Sequence, residues 1–453
     1  MSSKSHEMDL CSGSLWKKIF VYSVPLMFTN ILQVLFNMSD VAVVGKFAGA
    51  IALGSVGSTS ILVTLFTGIL LGLASGVNAL TALHIGSKDD EGLKRTVHTA
   101  VIICLAGGIL ITVFGILFSH NILALMNTKD ELIDGAVLYL RIYLLGMPAL
   151  GLYNFGNAVL SAAGDTKRPL YYLAFAGVVN VILNLFFVIV CHLGVAGVAL
   201  ASMISQFISA FLILRALLTG KEKYCLRLSE IRFDKKKAVG ILQIGIPSAF
   251  QYSLFAFANL FVQSSVNSFD HILVEGNSAA ANADPLVYDM MAAFYTACSS
   301  FIAQNFGARK KKRILQTYLI CLFYSFITSL VLGVGIYLAR YPFLYLFTSD
   351  KAVVEAGITR LSIMALSYSA SAFMDASIAA SRGLGKTAVP TFVVVMGSCV
   401  FRIIWIYTIF AYFHTIQSLY ILYVFSWGIT AIAENIYFFH VYRHTLTEKK
   451  ELC

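Results

Sequence analysis

The chain has 453 residues, of which 58% are hydrophobic and only 12% are charged, and its formal net charge is +10. A soluble domain usually carries about 25% charged residues, so this composition excludes an ordinary soluble protein and indicates a membrane protein. The sequence contains no phosphate-binding glycine loop and no Cys or His spacing typical of a metal site. These absences argue against an ATP-driven pump and against an enzyme, and no cofactor is expected.

Twelve apolar segments are long enough to cross a bilayer, which takes about 20 residues in a helix. The polar N-terminal segment 1–16 runs directly into the first of them, so no removable signal peptide is expected. The predicted spans are 17–43, 50–78, 97–118, 133–160, 169–190, 194–217, 239–267, 279–305, 314–339, 352–380, 389–412 and 417–441.

The charges of the connecting segments predict the orientation in the membrane. With the N-terminus placed inside, 26 of the 33 Lys and Arg residues fall on the inner side and 6 on the outer side, and one, Arg402, lies within a span. Because positive charge accumulates in cytoplasmic loops, both termini are predicted to be cytoplasmic. The same asymmetry accounts for the net charge through attraction to anionic lipid, and no nucleic-acid partner is needed.

The chain contains two copies of one pattern. A Gly-x-Thr-x-x-Pro motif at 164–169, after span 4, recurs at 385–390, after span 10. Pro25 in span 1 and Pro247 in span 7 are separated by nearly the same offset. Matched blocks in the same order indicate an internal duplication.

The predicted fold is therefore an all-α membrane protein with twelve transmembrane helices. Since each half has an even number of spans, the two six-helix bundles are parallel and related by a pseudo-two-fold axis along the membrane normal. Such a pair suits a secondary transporter with alternating access, with Pro25 and Pro247 as candidate hinges; a non-transporting receptor or channel is the alternative. The predicted segments are an N-terminal tail (1–16), an N-lobe (17–217), a basic linker (218–238), a C-lobe (239–441) and a C-terminal tail (442–453).

Asp40 is the strongest candidate for a functional residue. On a helix it shares an arc of about 80° with Asn30, Gln33 and Asn37, and lipid cannot satisfy such a stripe. An acid that binds a proton in one conformation and a cation in another is what a cation antiporter requires. The alternative is a carboxyl that is hydrogen-bonded to neighbouring amides or lies near the outer interface.

Asp375 is the next candidate, because it occupies the position in span 10 that Asn154 occupies in span 4. Glu434 is interpreted as a packing or interfacial carboxyl. Three alternatives are predicted for Arg402: its charged end snorkels to the membrane interface, it pairs with an acid, or it contacts substrate. The residues predicted to line a substrate cavity are Gln33, Asn154, Asn157, Tyr252, Asn259, Gln263, Asp284, Tyr288, Asp289 and Arg402.

The segment from Pro25 to Asp40, followed by Val44-Gly45, resembles helix 1 of MATE (multidrug and toxic compound extrusion) transporters. The loop at 164–169, the motif Gln-Asn-x-Gly-Ala at 304–308 and the amides of span 7 are similar to the same family. The resemblance covers about 15–443. It implies a V-shaped pair of six-helix bundles that exports organic cations in exchange for H⁺ or Na⁺.

The resemblance also implies site residues. Asp40 matches the helix 1 carboxyl given the coupling role, and Asn180 matches a polar residue of the first-lobe site. Asn184 stands where many members have Asp, and Phe255 stands where the NorM-like branch has Glu. These departures favour H⁺ over a Na⁺ ion near Asp40 or Asp375. The predicted coupling residues are Asp40, Asn37, Asn180, Asn184 and Asp375.

Together these observations predict a bacterial NorM- or DinF-like inner-membrane antiporter, expected to be a monomer, that exports small organic cations or drugs. One alternative is a flippase for lipid-linked oligosaccharides from the same superfamily. Such a flippase would be expected to line its cleft with several cations, whereas the sequence places only Arg402 deep in a span.

Overall fold

The computed structural model describes residues 8–445, and no β-strand occurs in that range. The predicted tails, 1–16 and 442–453, therefore lie partly outside the described residues. The first half of the chain forms α1 (Leu15–Phe47), α2 (Ala50–Ser87), α3 (Asp90–Leu125), α4 (Asp130–Leu144), α5 (Met147–Ala162), α6 (Lys167–Leu185) with a π-helical turn (Phe186–Val190), and α7 (Gly194–Thr219).

The second half repeats this order with more interruptions. A 3₁₀ turn (Leu228–Glu230) precedes it. Its elements are α8 (Lys235–Val266), α9 (His271–Ala281), α10 (Ala283–Gly307), α11 (Lys311–Leu338), α12 (Arg340–Tyr345), α13 (Lys351–Gly383), α14 (Ala388–Val394), a π-helical turn (Val395–Val400), α15 (Phe401–Trp405), a second π-helical turn (Ile406–Phe410), α16 (Ala411–Phe413) and α17 (Ile416–His444).

Eleven helical segments in the described range are long and apolar enough to cross a membrane. The twelfth predicted span is a bent one: α4 and α5 meet at 45° and pass the same test only together. The break precedes Met147 and Pro148, where proline occupies the first turn of α5 and cannot donate a backbone hydrogen bond to the preceding turn. The predicted all-α, twelve-span architecture is confirmed, with span 4 broken in the middle.

The helices pack into two compact units. Unit 1 contains Phe28–Tyr252 and the described residues before Leu10, whereas unit 2 contains Leu10–Met27 and the described residues from Ser253 onward. The chain thus passes from one unit to the other within α1, shortly after Pro25, and within α8, shortly after Pro247. Both prolines lie inside helices.

The basic linker packs against unit 1. The backbone N–H of Arg227 donates to His98 Nε2 over 3.1 Å, and that of Asp234 donates to Thr99 Oγ1 over 3.1 Å. Lys94 forms an ion pair with Glu230, and the pKa of the Glu230 carboxyl is lowered chiefly by this hydrogen bond. The linker is anchored to the start of α3 at several points.

The loop that closes span 4 begins with Gly164, the first residue of the repeated motif. Gly164 has a left-handed backbone (φ +90°), a conformation that glycine adopts readily. The next residue, Asp165, is 1% exposed and accepts the backbone N–H groups of Lys167 and Arg168 over 3.1 Å each. Its carboxylate also pairs with the Arg168 side chain. An anionic cap at a helix N-terminus satisfies free N–H groups, so this loop is architectural.

Candidate functional site

Asp40 lies at the centre of a closed hydrogen-bonded network in unit 1. Its carboxylate is 6% exposed and accepts from Ser202 Oγ on α7 over 2.7 Å and from Asn184 Nδ2 on α6 over 2.5 Å. Asn184 Nδ2 also donates to Asn180 Oδ1 over 3.1 Å, and Asn180 Nδ2 donates to Ser202 Oγ over 3.4 Å. The four side chains, which we call the Asp40 network, form a ring in which both direct neighbours donate to the carboxylate.

Local sequence explains how α1 reaches α6. Asn180 and Asn184 are one helical turn apart and share a face. Gly177, about one turn before Asn180, is buried, and a Cβ added there would lie 1.6 Å from the ring of Phe36 on α1. The missing side chain lets α1 approach closely at Phe36, one turn before Asp40.

The Asp40 network contains no cation. None of the ion pairs found in residues 8–445 involves Asp40, and its two direct hydrogen-bond donors are neutral. Tyr139 and Tyr143 of α4 lie near enough to interact electrostatically with it. Their rings stack with centroids 5.8 Å apart. The groups that hydrogen-bond to the carboxyl are therefore neutral, and two tyrosines lie nearby.

Asn184 can serve Asp40 in either protonation state. As placed, its Nδ2 donates to the carboxylate, whereas its Oδ1 is buried without a hydrogen-bond partner in the described part of the chain. Rotation of the amide would turn Oδ1 towards Asp40, where it could accept from a protonated carboxyl, because an amide carries both a donor and an acceptor. The Ser202 hydroxyl can reverse its role in the same way.

The other predicted residues of the first half stand apart from this network. Asn37 is exposed, Gln33 is half-buried, and neither joins the Asp40 network. Asn154 is 3% exposed, and Asn157 accepts from Ser161 Oγ over 3.2 Å within α5. Tyr252 is exposed at the end of unit 1. The structure thus joins Asn180 and Asn184 to Asp40, but not the neighbours of Asp40 on its own helix.

Unit 2 contains a buried arginine, Arg402, that is 1% exposed. Its Nη1 donates to Asn259 Oδ1 on α8 over 2.9 Å, and its Nε donates to Ser426 Oγ on α17 over 3.3 Å. The guanidinium carbon lies 4.5 Å from the ring centroid of Tyr423. Of the three alternatives predicted for Arg402, snorkelling is excluded by this burial, and no acid pairs with it within the described residues.

Arg360, one of the six basic residues predicted on the outer side, is a second buried arginine. It lies in α13 and is 5% exposed. It donates to Asp284 Oδ2 and to Asn277 Oδ1, each over 2.6 Å, and Tyr368 donates to Asp284 Oδ1 over 2.5 Å. Asn277 in turn donates to Gln263 Oε1 over 3.3 Å. Asp284 is therefore an ion-pair partner.

The remaining acids and aromatic residues of unit 2 are placed as follows. Tyr288 makes edge-to-face contacts with Tyr368 (5.7 Å) and Trp427 (5.9 Å). Asp289 and Asp375 are half-buried. Glu434 is fully buried, and neither carboxyl oxygen has a hydrogen-bond partner in the described part of the chain. Its role as a packing or interfacial carboxyl stays a prediction.

Comparison with known proteins identifies the family. The MatE family model matches residues 25–186 and 247–408. The two matches begin at Pro25 and Pro247 and have equal length, which confirms the internal duplication. The chain is 31% identical over 307 residues, 68% of each chain, to "Probable multidrug resistance protein YpnP" of Bacillus subtilis. It is 28% identical over 364 residues, 78% of each chain, to "Probable multidrug resistance protein YoeA" of the same organism.

The fold is also similar to that of solved structures. A MOP superfamily transporter from Pyrococcus furiosus superposes with a TM-score of 0.91 at 22% identity, over 99% of this chain and 100% of that one. At this identity the likeness shows the fold alone. The family matches cover most of the chain and one copy falls in each half. The chain belongs to the MatE family of multi-pass membrane transporters, as its motifs predicted.

Proposed function

We propose that this protein exports organic cations, including drugs, across the cell (inner) membrane by exchanging them for protons through alternating access. The relatives named as multidrug resistance proteins support this substrate class. The excess of Lys and Arg in the inner segments supports cytoplasmic termini. The function needs one chain, so we expect a monomer.

The Asp40 network is the observation that carries the proposal. The hydrogen-bond donors to this buried carboxylate are neutral. Its negative charge is therefore compensated most simply when it binds a proton or a cation. The Asn184 amide and the Ser202 hydroxyl can hydrogen-bond both the ionised and the protonated carboxyl. This adaptability supports H⁺ as the coupling ion.

Exchange follows if proton and substrate favour different states of the transporter. A ligand shifts a conformational equilibrium only by its difference in affinity between the two states. Protonation of Asp40 removes a negative charge from the network and weakens its attraction for a cationic substrate. Pro25 and Pro247 lie just before the chain passes between units, and we assign them as the hinges of the transition.

The flippase alternative gains no support from the two arginines. Arg360 is neutralised by Asp284 over 2.6 Å, which leaves Arg402 as the only buried arginine or lysine without an acid partner in the described range. Several cations lining the cleft were the expectation for a flippase of lipid-linked oligosaccharides.

Purified protein in liposomes tests the proposal directly. A fluorescent organic cation is supplied, and a pH gradient and a Na⁺ gradient are imposed separately. We expect transport under the pH gradient alone. Transport driven only by Na⁺ would refute proton coupling, and no transport of any cation under either gradient would refute the cation-export proposal.

A further inference from the structure

Arg402 presents an unusual electrostatic situation. A guanidinium stays protonated in proteins, so burial cannot be relieved by loss of its charge. Its hydrogen-bond partners, Asn259 and Ser426, are neutral, and none of the ion pairs within the described range involves it. The acids nearby in unit 2 do not compensate it: Asp284 pairs with Arg360, and Asp375 forms no ion pair with Arg402. A buried, permanent cation without a carboxylate partner is a recognition site for an anion.

The internal duplication shows where this cation lies. Measured from the repeated prolines at 169 and 390, the residue equivalent to Asn180 would be Phe401. The π-helical turn Val395–Val400 inserts before this position, and such a turn contains one extra residue. It advances the register by one, so that Arg402 takes the place of Asn180. The family model agrees, because its two matches end at 186 and 408 and thus keep the offset between Pro25 and Pro247.

The acid is missing from the equivalent site in unit 2. At that same offset, the position on α8 that corresponds to Asp40 is Val262, which is 3% exposed. An amide in unit 1 has therefore become a guanidinium in unit 2, and a carboxyl has become an apolar side chain. The network in unit 1 therefore carries a negative charge, whereas the equivalent region of unit 2 carries a positive one.

Of the residues that contact the Arg402 guanidinium, Ser426 and Tyr423 are buried, whereas Asn259 is exposed. This amide is on the exposed part of α8, while its Oδ1 caps Arg402 Nη1. If the amide rotates, Nη1 becomes available and Asn259 Nδ2 can donate to the same incoming anion. The Tyr423 ring is buried and contacts both the guanidinium and the Trp427 ring, so it stabilises the cation in place.

We propose that Arg402 and Asn259 form a carboxylate-binding site in unit 2, and that it selects organic substrates carrying a carboxylate beside their cationic group. This inference deepens the proposed function, on which it rests for the organic substrate, by naming an amphoteric subclass. The cationic group of such a substrate is the one that the proposed exchange requires.

Two rhodamines test the site. Rhodamine 110 carries a free aromatic carboxylate, and rhodamine 123 is its methyl ester. Binding of each to purified protein is measured by fluorescence anisotropy, with gluconate as the only bulk anion. We expect the carboxylate form to bind roughly ten- to a hundredfold more tightly, as for a charge-assisted contact.

The decisive variant is Asn259→Asp, which places a carboxylate on Arg402 and fills the site from within. It should abolish the preference for rhodamine 110 while the protein keeps its thermal stability. Arg402→Gln should also abolish it. Ser265→Asp, which adds the same charge on another face of α8, is the matched control and should leave the preference unchanged.

Equal binding of the two rhodamines by the wild type, or an unchanged preference in Asn259→Asp, overturns the inference. A site for inorganic anions alone gives equal binding of the two dyes, with chloride weakening both alike. Because binding is measured without a gradient, these outcomes are independent of proton coupling. Preferential binding without proton-driven transport would refute the proposed function and leave the carboxylate site standing.

Discussion

Replacing Ser202 by alanine should shift the pH dependence of transport. The Ser202 hydroxyl donates to Asp40 Oδ2 over 2.7 Å, and both groups are buried. A hydrogen bond to a charged group contributes about 1.5–3 kcal/mol, and about 1.36 kcal/mol corresponds to one pH unit. The bond to the ionised carboxyl is stronger than any bond to the neutral acid. A bond to the neutral acid contributes about 0.5–1.5 kcal/mol, so only the difference counts, and the midpoint of exchange should rise by about one pH unit.

The assay is the initial rate of cation exchange in proteoliposomes across a series of pH values, with equal pH on both sides. Ser205→Ala is the matched control, because that hydroxyl is also buried on α7 but donates to the Ser202 backbone carbonyl over 2.9 Å. Its midpoint should match that of the wild type. If Ser202→Ala and Ser205→Ala give the same midpoint as the wild type, the Asp40 network does not set proton affinity.

Three further predictions concern stability. Gly333→Ala would put a Cβ 2.1 Å from a backbone carbonyl oxygen of α13, and it should lower the free energy of unfolding by about 1–3 kcal/mol. Gly335→Ala on the same helix is the control, because its Cβ meets nothing within 4 Å and should leave that free energy unchanged. Thermal melting in detergent compares the two variants. Arg360→Ala strands the Asp284 carboxylate and should destabilise by about 3–5 kcal/mol, and an unchanged melting temperature would refute its structural role. The pKa of Asp89 is lowered from 3.8, chiefly by a backbone N–H at the start of α3. Its stabilisation is therefore complete above pH 3.8 and lost only as pH falls further, which proteolysis of the linker at graded pH would detect.

Sequence alone was sufficient for the architecture. The span lengths and the repeated Gly-x-Thr-x-x-Pro loop are local signals, and each is fixed by the bilayer or by a backbone requirement. Asp40 was found in the same way, as an acid on a polar stripe. Even the bend between α4 and α5 has a local sign in Pro148, although its angle could not be predicted.

The partners of Asp40 were only half predictable. Asn180 and Asn184 stood out as amides within an apolar span, but Ser202 did not, because serine is common in membrane helices and bonds its own backbone there. The Ser202–Asp40 contact joins two helices that are distant in sequence, which periodicity cannot reveal. Asn37 shows the opposite case. It lies on the same polar stripe of α1 as Asp40, but it does not join the Asp40 network.

The two arginines show that the burial of a charged side chain cannot be predicted from its charge and position in the sequence alone. Arg360 was counted with the outer charges, and its burial could not be predicted, because it pairs with Asp284, a residue 76 positions away on another helix. The alignment of Arg402 with Asn180 depends on a π-helical turn, and a one-residue register shift is invisible without the structure.

The most direct test of proton coupling through Asp40 compares two modes of transport in the Asp40→Asn variant. One is accumulation of a fluorescent cation against its gradient, driven by a pH difference; the other is exchange of labelled for unlabelled cation at equal pH. Proton coupling through Asp40 predicts that accumulation is lost while exchange persists, because the variant can still change conformation with substrate bound. Accumulation at the wild-type level would contradict it.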